Sequence, residues 1–154
     1  KQGMGTTLVV ATIIDGKLYV ANVGDSRLYI VNKDIRQVTR DHSLVAEMVR
    51  LGEVDVAAAR EHPDKNIITR AIGAKADVEA DFFEVELQEG DRIVICTDGL
   101  TNMCADEEIA ELLSQNYFNE AAVLVQAALQ NGGVDNITCI VLEVLPATQD
   151  AEDD

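Results

Sequence analysis

Hydrophobic and polar residues alternate along the first third of the chain, as they do in the strands of an antiparallel sheet. Apolar and β-branched residues run from Thr7 to Ile14, and the following Asp15-Gly16 is a strong signal for a two-residue hairpin turn. The pattern predicts a meander of four strands, at 7–14, 17–23, 27–31 and 35–39. Three more strands are predicted, at 80–87, 92–97 and 136–145.

Helical spacing of apolar residues replaces this alternation in the middle and later parts of the chain. It predicts helices at 43–51 and 54–60, and amphipathic helices at 106–115 and 120–131. Asn119 is expected to cap the last helix, and Gly132-Gly133 to end it. This order of strands and helices indicates an α+β fold, in which helices cover the faces of antiparallel sheet.

Composition narrows the classes of function. The chain has 154 residues and a net charge of −16, from 28 acidic and 12 basic residues. So negative a surface would repel a phosphate backbone, which argues against nucleic acid as a partner. No apolar run reaches the roughly 18 residues that span a bilayer, and no basic-then-apolar leader precedes the first strand. We therefore expect a cytoplasmic protein without membrane contact.

Nucleophilic catalysis is not indicated by the sequence. The three cysteines fit neither disulfide nor zinc spacing, and we expect inert thiols at Cys96, Cys104 and Cys139. Asp41-His42-Ser43 contains the three residue types of a catalytic triad, but adjacent side chains cannot converge in the required line.

Three aspartates stand at predicted strand ends. Asp98 directly follows an apolar strand, Asp135 closely precedes another, and Asp25 lies in the turn between two strands. Asp98 and Asp135 would meet at one sheet edge if their strands are antiparallel neighbours. Carboxylates gathered in this way repel one another unless a cation lies between them, and oxygen ligands favour Mg²⁺ or Mn²⁺ over zinc. Singly, each aspartate is also an ordinary turn or strand-entry residue.

Five motifs in a fixed order change this picture. Together they resemble the bacterial branch of the type 2C (PPM) metal-dependent protein serine/threonine phosphatases, from Gly3 to about Val144. The motifs are Asn22-Val23-Gly24-Asp25-Ser26-Arg27, Thr39-Arg40-Asp41-His42-Ser43, Ile68-Thr69-Arg70-Ala71-Ile72-Gly73, Gly90-Asp91-Arg92-Ile93-Val94-Ile95-Cys96-Thr97-Asp98-Gly99-Leu100 and Asp135-Asn136-Ile137-Thr138.

The resemblance implies an antiparallel β-sandwich flanked by helices, with a metal cluster at one end. It implies that Asp98 and Asp135 are ligands of a core site for two Mn²⁺ or Mg²⁺ ions, and that Asp25 helps to hold a third, weaker ion. It also implies a mobile flap at 43–65. The implied activity is hydrolysis of phosphoserine and phosphothreonine on proteins by a water that the two ions activate. Phosphorylated proteins are the implied substrates, and a cognate Ser/Thr kinase is an implied partner.

Two motifs that the family carries upstream of this region are missing: an arginine that binds phosphate, and an Asp-Gly-x-Gly-Gly motif whose aspartate bridges both metals. We therefore expect a partial phosphatase 2C-like catalytic domain at 1–145 with its N-terminal elements missing, and an acidic tail at 146–154. The isolated fragment is expected to be inactive, and to self-associate through surface exposed by the truncation. Two alternatives stay open: a non-catalytic fragment or pseudophosphatase acting as a binding module, and a phosphatase of an anti-anti-sigma factor.

Overall fold

Two antiparallel sheets and five short helices make up the fold in the computed structural model, which describes residues 3–147. The first sheet has the strand order β1-β2-β5 and the second the order β4-β3-β6-β7. This architecture confirms the predicted α+β class with antiparallel sheets. The strands are β1 (Leu8–Ile14), β2 (Lys17–Val23), β3 (Arg27–Val31), β4 (Ile35–Gln37), β5 (Asp81–Glu86), β6 (Arg92–Cys96) and β7 (Cys139–Glu143). The helices are α1 (Leu44–Arg50), α2 (Val56–Glu61), α3 (Asp98–Thr101), α4 (Asp106–Leu113) and α5 (Glu120–Gln130).

The predicted meander of four strands is wrong in one respect. β1 and β2 form the expected hairpin, whose turn places Asp15 and Gly16 at positive φ. β2 then pairs with β5, whereas β3 pairs with β4 and β6, so the chain changes sheets at 24–26. What reads as a hairpin turn in the sequence is a crossover between two sheets.

The two sheets and the helices form three layers with two cores. Between the sheets lies a cluster of buried side chains: Leu18, Val20, Leu28, Ile30 and Ile93. A second cluster, between the second sheet and the helices, includes Tyr29, Val94, Leu100, Ile109 and Leu124. Because successive side chains of β3 point to opposite faces, this strand contributes to both cores. The second sheet therefore packs on both faces, except at β7, where Ile140 and Leu142 on the face toward the first sheet are exposed.

Side chains cap three of the helices. Ser43 accepts a hydrogen bond from the backbone N–H of Ala46 and starts α1, and Asp55 starts α2 in the same way. The predicted cap at Asn119 is confirmed, since its Oδ1 accepts from the backbone N–H of Ala122 at 3.0 Å. Helix α3 was not predicted, because the sequence around Asp98 reads as a turn. Within residues 3–147, no helix combines the length and the apolar character needed to cross a membrane.

Part of the outer face of the first sheet is apolar and open to solvent. Val10, Ala21 and Phe82 lie side by side across its three strands, on the side away from the core between the sheets. The Phe82 side chain is 78% exposed, and Leu8 and Tyr19 on the same face are also exposed. Apolar patches of this kind favour association. Of the predicted acidic tail, residues 148–154 lie outside the described residues.

We expect the 154-residue chain to self-associate through this outer face of the first sheet. Phe82→Ser should shift the chain toward monomer without loss of stability, since the side chain contributes little to the core. Phe118→Ser is the matched control, because Phe118 is fully exposed in the loop before α5. Size-exclusion chromatography with light scattering measures the outcome, and a clean monomer at about 100 µM for the unmutated chain would contradict the expectation.

Candidate metal centre

The candidate site lies at the edge of the second sheet, where β6 ends and β3 begins. Arg27 of β3 pairs with Cys96 of β6 in antiparallel register. Asp25 lies two residues before Arg27, and Asp98 lies two residues after Cys96. The pairing brings these two strand ends together, and the charge of Asp98 raises the pKa of Asp25, so the two carboxyls lie close to each other. The fold thus brings together two of the predicted site residues, which are 73 positions apart in the sequence.

The third predicted residue, Asp135, is carried to the same edge by the segment that enters β7, the neighbour of β6. Thr97 fixes this segment: its hydroxyl donates to the carbonyl oxygen of Asn136 at 3.2 Å and accepts from the N–H of Thr138 at 3.1 Å. A Cβ atom on Gly99 would lie 2.2 Å from the same carbonyl oxygen. Glycine at position 99 therefore permits a close approach that any side chain would block.

Burial and mutual repulsion destabilise the ionised form of these carboxyls. Burial, followed by the charge of Asp98, raises the pKa of Asp25 to about 6. Burial, followed by the charge of Asp135, raises the pKa of Asp98 above its ordinary value. Oxygen donors whose charges repel one another are suited to a hard divalent cation, which would relieve both effects. The chemistry of these donors therefore suits Mn²⁺ or Mg²⁺, the ions expected from the sequence.

Arg27 supplies positive charge beneath the site. Its Nε donates to both carboxylate oxygens of Asp41 at 3.0 Å, and its Nη2 donates to Asp41 Oδ2 at 2.7 Å. Nη1 donates to the Tyr29 hydroxyl at 2.8 Å. The guanidinium charge opposes part of the rise in the pKa of both Asp25 and Asp98. The half-buried Arg27 therefore stabilises the ionised form of both carboxyls.

The side chains of Asp41-His42-Ser43 go to three separate partners. Asp41 binds Arg27, His42 accepts a hydrogen bond from the backbone of Gly24, and Ser43 caps α1. The expectation that they form no catalytic triad is confirmed. Two of the three instead hold the bend that carries Asp25, a role that the sequence analysis missed. The only sequence signal for it is that this motif and Gly24-Asp25-Ser26-Arg27 occur in the same chain.

The three aspartates share an edge but do not form a finished cage. Within residues 3–147, no group of three or more histidine, cysteine, aspartate or glutamate side chains is placed closely enough to hold a metal ion. Asp135 is exposed, and its Oδ1 accepts a hydrogen bond from the adjacent Asn136 N–H at 2.7 Å. The predicted metal roles of Asp25, Asp98 and Asp135 therefore stay predictions, as does the mobile flap at 43–65.

The cysteines occupy positions suited to inert thiols. Cys96 and Cys104 are buried, Cys139 is half-buried, and all three are free. Burial raises the pKa of Cys96 to about 12 and raises the pKa of Cys139 as well. A thiol that stays protonated at neutral pH is a poor nucleophile.

Known proteins match almost the whole chain. The family model described as Protein phosphatase 2C matches residues 1–137. The serine/threonine phosphatase stp of Listeria innocua is 46% identical over 144 residues, which cover 92% of this chain and 57% of that protein. The crystal structure of the serine/threonine phosphatase Stp1 from Staphylococcus aureus aligns with a TM-score of 0.91 and 38% identity, over 94% of this chain and 58% of that one.

A further solved structure includes metal ions. The catalytic domain of the serine/threonine protein phosphatase PstP, in complex with two manganese ions, aligns with a TM-score of 0.84 and 33% identity. The alignment covers 94% of this chain and 61% of that one. This chain thus spans about three-fifths of the length of the relatives that it matches.

The raised pKa of Asp25 predicts a stability that depends on pH. Below pH 3.8 the carboxyl is protonated whether the chain is folded or unfolded. Between pH 3.8 and about 6 the unfolded chain loses this proton while the folded chain keeps it, so the free energy of unfolding falls over this range and stays lower above it. Asp25→Asn should therefore stabilise the metal-free chain by about 1 kcal/mol at pH 7.5, after allowance for partial exposure to solvent, and by much less at pH 4.

Urea unfolding followed by circular dichroism at both pH values measures this difference. Asp77→Asn, which neutralises an exposed carboxylate elsewhere, is the control and should change stability little at either pH. An Asp25→Asn chain no more stable than the unmutated chain at pH 7.5 would contradict the electrostatic picture of the site.

Proposed function

The chain belongs to the protein phosphatase 2C family, and from this membership we propose that it is part of a metal-dependent protein serine/threonine phosphatase. The proposed reaction is hydrolysis of phosphoserine and phosphothreonine on protein substrates. The observation that supports the proposal is that Asp25, Asp98 and Asp135 lie near the adjoining ends of β3, β6 and β7, where their charges act on one another, in a chain of this family. This chain spans 57% of the length of the Listeria innocua phosphatase, so the activity is proposed for the whole protein that contains the chain.

Each aspartate has a distinct part in the proposed site. Asp98 and Asp135 would hold the core pair of divalent ions, and Asp25 would hold an outer ion. The manganese ions in the PstP structure support Mn²⁺ as the metal, with Mg²⁺ as the other suitable ion. Such ions, when bound, lower the pKa of a coordinated water and neutralise the oxygens of a phosphoryl group.

The chain's own residues would prepare the site for these ions. Arg27 keeps Asp25 and Asp98 closer to their ionised state, the state that binds a cation. Thr97 and Gly99 fix the segment that carries Asp135. The proposed reaction is direct attack of water on phosphorus, without a nucleophilic side chain.

A non-catalytic binding module is the second candidate. The observation that favours it is the incomplete ligand set, since the aspartates described in residues 3–147 do not form a group able to hold a metal by themselves. For the same reason we propose that residues 1–154 alone have negligible phosphatase activity. A full-length protein that also shows no turnover with Mn²⁺ would favour the binding module for the whole protein.

Substitution of the three aspartates in the full-length protein that contains this chain tests the proposal. Asp98→Asn and Asp135→Asn should each lower turnover of p-nitrophenyl phosphate with Mn²⁺ by roughly 100-fold or more, because each removes charge from the core pair of ions. Asp25→Asn should cost only about tenfold, because its ion is the outer one.

Asp77→Asn is the control and should keep normal turnover, because that carboxylate is exposed and away from the sheet edge. Normal activity in Asp135→Asn together with a dead Asp25→Asn would show that the core site has been assigned to the wrong aspartates.

A further inference from the structure

Residue Gly24, directly before Asp25, is bound through both of its backbone groups by a single histidine. Its N–H donates to Nδ1 of His42 at 3.0 Å, and its carbonyl oxygen accepts from the backbone N–H of His42 at 2.9 Å. Gly24 has a φ of +110°, and a Cβ atom there would lie 2.4 Å from Cγ2 of Thr7. The bend is thus held in a conformation that other residues rarely adopt.

The imidazole of His42 is fixed from its far side as well. Because Nδ1 accepts the Gly24 N–H, the ring proton is on Nε2, which lies 2.9 Å from Asp81 Oδ2. The other carboxylate oxygen of Asp81 accepts from Nη1 of Arg70 at 3.0 Å. The His42 side chain is only 5% exposed, so the ring cannot turn without breaking these bonds. Arg70, Asp81, His42 and Gly24 form one continuous chain of hydrogen bonds.

A second buried side chain supports the carbonyl side of the bend. Asn22 is fully buried, and its Nδ2 lies 3.4 Å from the carbonyl oxygen of Gly24 and 2.9 Å from that of Arg40. The Gly24 carbonyl therefore has two donors, whereas the Gly24 N–H has the His42 ring. Loss of the ring would leave the Gly24 N–H without its acceptor, while the Gly24 carbonyl oxygen would keep both donors.

We propose that His42 is the positioning residue for Asp25: its Nδ1 fixes the Gly24 N–H and thereby holds the Asp25 carboxylate at the sheet edge close to Asp98. This inference rests on the proposed function, in which Asp25 binds a cation and its orientation therefore affects the affinity. His42 does not contact the reacting atoms, since both ring nitrogens are already hydrogen-bonded to protein groups.

Two substitutions separate the two bonds of the imidazole. In His42→Asn the amide oxygen stands close to the place of Nδ1 and still accepts the Gly24 N–H, but the link to Asp81 is lost. In His42→Gln the amide stands close to the place of Nε2, so the link to Asp81 remains and the acceptor for Gly24 is lost. His62→Gln is the matched control, since the Nδ1 of this second histidine also accepts a backbone N–H, that of Asp64, at the end of α2.

The measurements are Mn²⁺ affinity by calorimetry and the Mn²⁺ dependence of turnover, in the full-length protein. His42→Gln should weaken binding of the outer ion by about tenfold. It should raise the Mn²⁺ concentration for half-maximal turnover by about the same factor, with a smaller change in kcat at saturating Mn²⁺. His42→Asn and His62→Gln should stay within about threefold of the unmutated protein. Rescue by asparagine distinguishes positioning from general stabilisation, because both His42 substitutions remove a buried ring.

Unchanged Mn²⁺ affinity in a folded His42→Gln protein, or equal loss in His42→Asn and His42→Gln, would overturn the proposal. A protein without turnover would refute the proposed function, but the affinity measurements would still test the role of His42. If the variants do not fold, the unmutated, ¹⁵N-labelled protein supplies the test: NMR should show a scalar coupling across the hydrogen bond from the Gly24 N–H to His42 Nδ1, and absence of the coupling would overturn the proposal.

Discussion

The bend at Gly24 is the constraint on which the sandwich and the candidate site both depend. At this point the chain leaves the first sheet and enters the second, so the bend fixes how β2 and β3 lie relative to each other. Its φ of +110° and the Thr7 side chain packed against it leave room only for glycine. The next residue is Asp25, and the pairing of β3 with β6 brings the end of β6, followed by Asp98, close to it. The bend that the fold requires thus also positions Asp25 near Asp98.

Charge repulsion is the second force that shapes the site. The chain has a net charge of −16, and three of its 28 acidic residues lie at one sheet edge, where burial disfavours the ionised forms of Asp25 and Asp98. Arg27 offsets part of this cost, but its guanidinium is itself bound to Asp41. The site therefore keeps an excess of negative charge that a divalent cation is suited to neutralise. Ionised carboxylates, which the proposed cation binding needs, thus lower the stability of the fold, a conflict that is common at functional sites.

The sequence predicts the local elements well because strand alternation, helix caps and hairpin turns are local signals. Asp15-Gly16 and Asn119 behave as expected. The sheet change at 24–26 could not be predicted from alternation, because β2 reaches its partner β5 across more than 50 residues. The positions of Asp98 and Asp135 at strand ends were visible in the sequence, but their approach required β6 and β7 to be neighbours. The role of His42 was hidden, because its partners Gly24 and Asp81 are 18 and 39 residues away.

The central claim is that the sheet edge at Asp25, Asp98 and Asp135 holds divalent cations in the full-length protein. Anomalous X-ray diffraction from crystals of that protein grown with Mn²⁺ tests it most directly. The account predicts manganese peaks bounded by the carboxylates of Asp98 and Asp135, with a weaker peak beside Asp25 that Asp25→Asn removes. Manganese bound only elsewhere, or absent from this edge at saturating concentration, would contradict the account.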